Sequence, residues 1–152
     1  MVEPGTPAPD FSLPDQNGNM VSLGDFAGRK LMLCFYPLDF SPVCSDQLSI
    51  YQEVLPEIEA QGTELVGVSV DSAYCHRAFR EHLNLTMPLL ADFHPKGAMS
   101  RDYGTYQGDF GTDSRSLVLV GEDGVVRWSY ASPSPKEIPG ANLIFDALEA
   151  SQ

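Results

Sequence analysis

Leu31-Met32-Leu33-Cys34-Phe35-Tyr36 is a continuous apolar run stopped by Pro37, and its reading decides the fold. A run of that length without polar alternation suits a strand buried on both faces. After the loop Leu38 to Pro42, the residues Leu48, Tyr51, Leu55 and Ile58 recur at spacings of three, four and three. Those spacings mark one apolar face of a helix, predicted from about Val43 to Ala60 and closed by Gly62. A second apolar run, Leu65 to Val70, predicts another strand. Asp71-Ser72 then offers N-cap oxygens for a helix from about Ala73 to His82.

Outward from this βαβ unit the elements are short. On the N-terminal side, Phe11-Ser12-Leu13 and Met20-Val21-Ser22-Leu23 flank the turn signal Asp15-Gln16-Asn17-Gly18, which predicts a hairpin. On the C-terminal side follow a short strand at Pro88 to Ala91 and a short helix near Pro95 to Tyr103. A second hairpin joins Ser116 to Val120 with Val125 to Tyr130 about Glu122-Asp123-Gly124. After the prolines 133, 135 and 139, a last helix is predicted from about Ala141 to Ala150. A βαβ unit followed by a β-hairpin and a helix is the thioredoxin arrangement, an α/β fold whose mixed sheet is flanked by helices. The N-terminal hairpin is an extension to it, and the segment from about Leu85 to Thr112 is a central insertion. Residues 1–152 make a single domain on this reading.

Charge and composition exclude several function classes. The net charge is -12, which repels phosphate backbones and anionic lipid, so neither a nucleic-acid nor a membrane partner is expected. No apolar stretch reaches the roughly 18 residues that a membrane span needs. Met1-Val2-Glu3-Pro4-Gly5 lacks the basic and apolar regions of a signal peptide, and a cytoplasmic location is expected. Cys34, Cys44 and Cys75 are an odd set of three, unlike a secreted disulfide scaffold. Neither the cysteines nor His76, His82 and His94 show metal-ligand spacing, so no metal and no cofactor are expected.

Cys44 stands out by position, in the first turn of the best-defined helix, directly after the buried strand. Unpaired backbone N–H groups and the positive end of the helix dipole favour an anion there. A thiol so placed can ionise more readily, and the thiolate is the nucleophile. A small buried side chain at a helix start fits placement alone equally well. Cys34, within the strand, reads as core.

The preceding residues separate these two readings. Phe35-Tyr36-Pro37-Leu38-Asp39-Phe40-Ser41-Pro42-Val43-Cys44 contains Pro-x-x-x-Ser-x-x-Cys. It resembles the peroxiredoxin active-site signature, Pro-x-x-x-Thr/Ser-x-x-Cys, set as that family has it between strand and helix. Asp10-Phe11-Ser12-Leu13 resembles the family's N-terminal strand, and Gly67-Val68-Ser69-Val70-Asp71-Ser72 its next core strand and turn. Arg115, 71 residues beyond Cys44, resembles the family's active-site Arg. The likeness is to the bacterioferritin-comigratory-protein and alkyl-hydroperoxide-reductase-E-like branches. It implies a thiol-dependent peroxidase for hydrogen peroxide and organic hydroperoxides, with Cys44 oxidised to a sulfenic acid. Ser41 would hydrogen-bond thiolate and peroxide, Pro37 would shield the pocket, and Arg115 with the backbone N–H groups of Val43 and Cys44 would hold the peroxide oxygens. Gln47 stands where many members carry Glu, and no role is assigned to it.

Regeneration by a thioredoxin-like protein or a low-molecular-weight thiol is implied, in a monomer or homodimer. Position 49 is Ser, which removes one resolving cysteine used in the family, and Cys75 is left as the candidate resolving thiol. A thioredoxin-like disulfide oxidoreductase would need Cys-x-x-Cys, and the fourth position here is Gln47. The alternative from another class is a redox-regulatory or inert thioredoxin-fold binding protein. The joint presence of Pro37, Ser41, Cys44 and Arg115 speaks against it.

Overall fold

The computed structural model describes residues 1–152 and begins with the expected hairpin. Strands β1 (Ser12–Pro14) and β2 (Met20–Ser22) pair antiparallel, with Ser12 opposite Ser22. In the turn between them the Asp15 carboxylate accepts from the N–H groups of Asn17 and Asn19, and Gly18 takes a positive φ of 81° that suits its missing side chain.

The apolar run becomes β3 (Lys30–Phe35), and the helix after it is broken in two: α1 (Pro42–Glu53) and α2 (Leu55–Glu59). The single helix predicted over Val43 to Ala60 is therefore corrected at Val54, which has φ -102° and ψ 6°. Pro56 is the cause: it has no N–H for the carbonyl of Gln52, and its ring clashes with that carbonyl in a continuous helix. Then come β4 (Thr63–Ser69), α3 (Ala73–Leu83), β5 (Leu89–Ala91) and α4 (Ala98–Tyr103). Ser72 caps α3 as expected, its hydroxyl accepting from the Cys75 N–H at 3.2 Å. A two-residue ribbon, β6 (Tyr106–Gln107) with β7 (Thr112–Asp113), was not expected; its strands are too short to show a period. The chain ends with β8 (Ser116–Val120), β9 (Val126–Ala131) and α5 (Ala141–Ala150).

The main sheet runs β5-β4-β3-β8-β9, parallel among β5, β4 and β3 and antiparallel across β8 and β9. Alternation along β3 sends Met32, Cys34 and Tyr36 into one core with Cys44, Leu48, Tyr51, Phe79 and Ile144, under α1, α3 and α5. Leu31, Leu33 and Phe35 enter the other core with Phe11, Phe26, Met99 and Tyr103. Each fully buried Leu or Phe in these layers contributes about 2 kcal/mol. Gly67 on β4 allows the close packing of Tyr36, since a Cβ there would lie 2.7 Å from Leu89 Cδ2 and 3.2 Å from the Tyr36 ring. Two layers of side chains thus hold β3 rigidly, and the loop leaving its end carries the site.

Candidate active site

Cys44 sits in the first turn of α1 with no exposed surface. Ser41 is the N-cap residue and Pro42 the first helical residue. Pro42 has no N–H, and its fixed φ suits that position. The first turn closes through the Ser45 N–H to the Ser41 carbonyl at 2.9 Å. The N–H groups of Val43 and Cys44 have no partner one turn earlier, and the Ser41 hydroxyl does not cap them. Ser41 and Pro37, both half-buried, thus lie on the short loop that leads into the first turn and to the thiol.

The loop before α1 is pinned at several points. Phe40 takes φ 66°, a left-handed conformation that costs a non-glycine residue about 1–3 kcal/mol. Its ring packs on Phe79 at 5.1 Å and on His82 at 5.7 Å, which offsets that cost. Asp39 is buried, and its carboxylate accepts from the Tyr36 hydroxyl at 2.6 Å and meets His76 Nδ1 at 2.7 Å. The backbone N–H of Asp39 donates to Asp71 at 2.8 Å. His76 Nε2 lies 2.8 Å from the Leu90 carbonyl. His76 thus packs and hydrogen-bonds rather than facing Cys44, as its place on α3 suggests.

Arg115 reaches Cys44 because of sheet register. Ser116 lies opposite Phe35 where β8 runs antiparallel to β3, so the residue before Ser116 arrives at the end of β3 where the active loop departs. Arg115 is 3% exposed. Its Nη1 donates to Cys44 Sγ at 3.4 Å and to Gln47 Oε1 at 2.6 Å, and its Nε donates to the Pro135 carbonyl at 2.9 Å. These three groups are sulfur and neutral oxygens, and no Asp or Glu forms an ion pair with Arg115. A buried cation without a carboxylate partner favours an anionic neighbour.

Gln47 corrects the sequence reading, which gave it no role. It is fully buried, three residues after Cys44 on the same helix face. Besides receiving Arg115, it donates through Nε2 to the Tyr51 hydroxyl at 3.2 Å and to Cys34 Sγ at 3.6 Å. A polar side chain on the inner face of an apolar helix was the signal for it. The carbonyl partners of the proline segment had no such signal, because every residue carries one.

The other two thiols differ from Cys44. Burial pushes Cys34 up to about 12, outweighing the pull of Arg115, so Cys34 is a neutral core thiol as expected. Burial and the carboxylates of Asp39 and Asp71 push Cys75 up to about 12 as well. Its sulfur lies 3.8 Å from Asp71 Oδ1, and it shares no hydrogen-bond partner with Cys44. Asp39, Asp71 and Cys75 have ligand atoms within 4.8 Å of one another. Asp39 is already engaged by Tyr36 and His76, and Asp71 by Ser69 and the Asp39 N–H, which leaves these acids poorly placed to hold a cation.

The family described as the AhpC/TSA family matches residues 4–129. Alkyl hydroperoxide reductase E of Mycobacterium tuberculosis is 34% identical over 151 residues, covering 99% of this chain and 98% of the relative. Chloroplastic peroxiredoxin Q of Oryza sativa subsp. japonica is 34% identical over 130 residues, 85% of this chain and 59% of the relative. The crystal structure of Enterococcus faecalis AhpC superposes with a TM-score of 0.92 at 28% identity, covering 100% of this chain and 93% of that one.

Proposed function

From the premise that the chain belongs to the AhpC/TSA family, and so is a peroxiredoxin, we infer that its thiol-dependent peroxidase chemistry runs through Cys44 and returns through an external thiol. The observation that carries the assignment is Arg115 Nη1 at 3.4 Å from Cys44 Sγ with no carboxylate paired to it. The Cys44 thiolate attacks the terminal oxygen of a hydroperoxide, an S–O bond forms, and the O–O bond breaks. The electron pair leaves with the departing oxygen, which takes a proton and departs as water or an alcohol. Cys44 is left as sulfenic acid. Charge builds on the leaving oxygen, where Arg115, the Ser41 hydroxyl and the Val43 and Cys44 N–H groups are the donors available. Donors fixed before the reaction need no reorganisation as charge moves. Pro37 limits water at the sulfur.

Regeneration follows from the state of the other thiols. An attacking group must be a thiolate, and Cys75, held up by burial and then by its two carboxylate neighbours, is protonated at neutral pH. An external thiol therefore attacks the sulfenic acid, releasing water and giving a mixed disulfide, which a second thiol reduces to restore Cys44. A thioredoxin-like protein or a small thiol fits this step. The odd number of cysteines supports a reducing, cytoplasmic setting. The test is peroxide consumption followed by stopped flow. The wild type should react far faster than free cysteine and Cys44→Ser should not react; full activity in Cys44→Ser would overturn the assignment.

A further inference from the structure

We propose that the segment Ser132–Pro139, acting partly through Tyr51 and Gln47, is a positioning strap that aims Arg115 at Cys44. This rests on the peroxidase reading above and adds to it a part of the chain that lies beyond the residues 4–129 matched by the family.

The strap grips Arg115 along two routes. Directly, the Ser132 N–H donates to the Arg115 carbonyl at 2.9 Å, and Arg115 Nε donates to the Pro135 carbonyl at 2.9 Å. Indirectly, the Pro139 carbonyl accepts from the Tyr51 hydroxyl at 2.6 Å, and Tyr51 accepts from Gln47, which accepts from Arg115. Between these ends the Ser132 hydroxyl lies 2.9 Å from the Ser134 carbonyl and 2.7 Å from the Glu137 carbonyl, folding the segment back on itself.

The indirect route has a fixed direction. Burial pushes Tyr51 above its ordinary value, so its hydroxyl keeps its one hydrogen, and that hydrogen goes to Pro139. The Tyr51 oxygen is then an acceptor and turns the Gln47 amide so that its N–H points to Tyr51 and Cys34. The Gln47 oxygen must face Arg115. With Nε on Pro135 and one Nη1 hydrogen on Gln47, the guanidinium plane is set and the second Nη1 hydrogen falls on Cys44 Sγ. Nη2 makes no hydrogen bond to the protein and is left for a peroxide oxygen.

Tyr51→Phe and Gln47→Met test the strap, each nearly isosteric and uncharged. Two rates are read: consumption of hydrogen peroxide, and alkylation by iodoacetamide at Cys44 across pH, followed by mass spectrometry. A guanidinium released from its aim loses transition-state contact, so peroxide rates should fall about ten- to a hundredfold. The cation also recedes from the sulfur, so the midpoint of the alkylation profile should move to higher pH, which loss of packing alone would not do. Because both residues lie on one path, the double variant should lose no more than the worse single one. Wild-type peroxide rates with an unmoved midpoint in both variants would overturn the strap. A wild type no faster than free cysteine would instead overturn the peroxidase reading.

Discussion

Asp113 offers a stability test worked directly from the fold. It lies on β7 with no exposed surface, and neither carboxylate oxygen has a hydrogen-bond partner. Burial, with the nearby Asp92 and Asp71 carboxylates adding to it, raises its value from 3.8 to about 8. The Ser100 hydroxyl close by, whose hydrogen points at the Gly97 carbonyl, opposes this rise without cancelling it. The folded protein therefore binds this proton more tightly than the unfolded chain does. Its stabilising contribution is full below about pH 4 and is lost as pH rises through about pH 8. Each unit in that window is worth about 1.4 kcal/mol, so from about pH 5 to about pH 7 the loss is on the order of 3 kcal/mol. Asp113→Asn removes the titration but keeps the shape. Its buried amide also lacks partners, yet that cost does not vary with pH. Urea unfolding of both proteins at several pH values is the assay. The stability of Asp113→Asn relative to wild type should climb by about 1.4 kcal/mol per unit across the window. Parallel curves, with a constant difference at every pH, would mean that Asp113 does not hold its proton more tightly in the folded protein.

Two further outcomes follow from the buried contacts. Arg115→Lys keeps a charge but not the fork that holds Cys44, Gln47 and Pro135 together, so the peroxide rate should fall about a hundredfold, and a wild-type rate by stopped flow would contradict this. Asp39→Ala leaves the fully buried His76 Nδ1 and the Tyr36 hydroxyl without their partner, and should cost about 2–6 kcal/mol in urea unfolding; an unchanged midpoint would count against the pinned loop.

The sheet was legible because β3 and β4 are buried on both faces, so their residues form unbroken apolar runs. The register of β8 on β3 was not legible as such, yet it is what carries Arg115 to Cys44; the sequence showed only a residue type in a suggestive place. The break at Val54 could have been read from Pro56, but the apolar spacing from Leu48 to Ile58 survives the break and hid it. Gln47 escaped because its meaning depends on a partner 68 residues away. The grip of Pro135 and Pro139 is made by backbone carbonyls, which leave no mark in a sequence. The β6–β7 ribbon, with two residues to a strand, is too short to leave an alternation in the sequence.

In the proposed reaction Cys44, and neither Cys34 nor Cys75, meets the peroxide. Treating the reduced protein with one equivalent of hydrogen peroxide in the presence of dimedone, then mapping the adduct by mass spectrometry, tests it most directly. The dimedone thioether should lie on Cys44, with Cys34 and Cys75 recovered as free thiols and no Cys44–Cys75 peptide. An adduct on Cys75 with Cys44 unmodified would rule out Cys44 as the peroxide-reactive thiol.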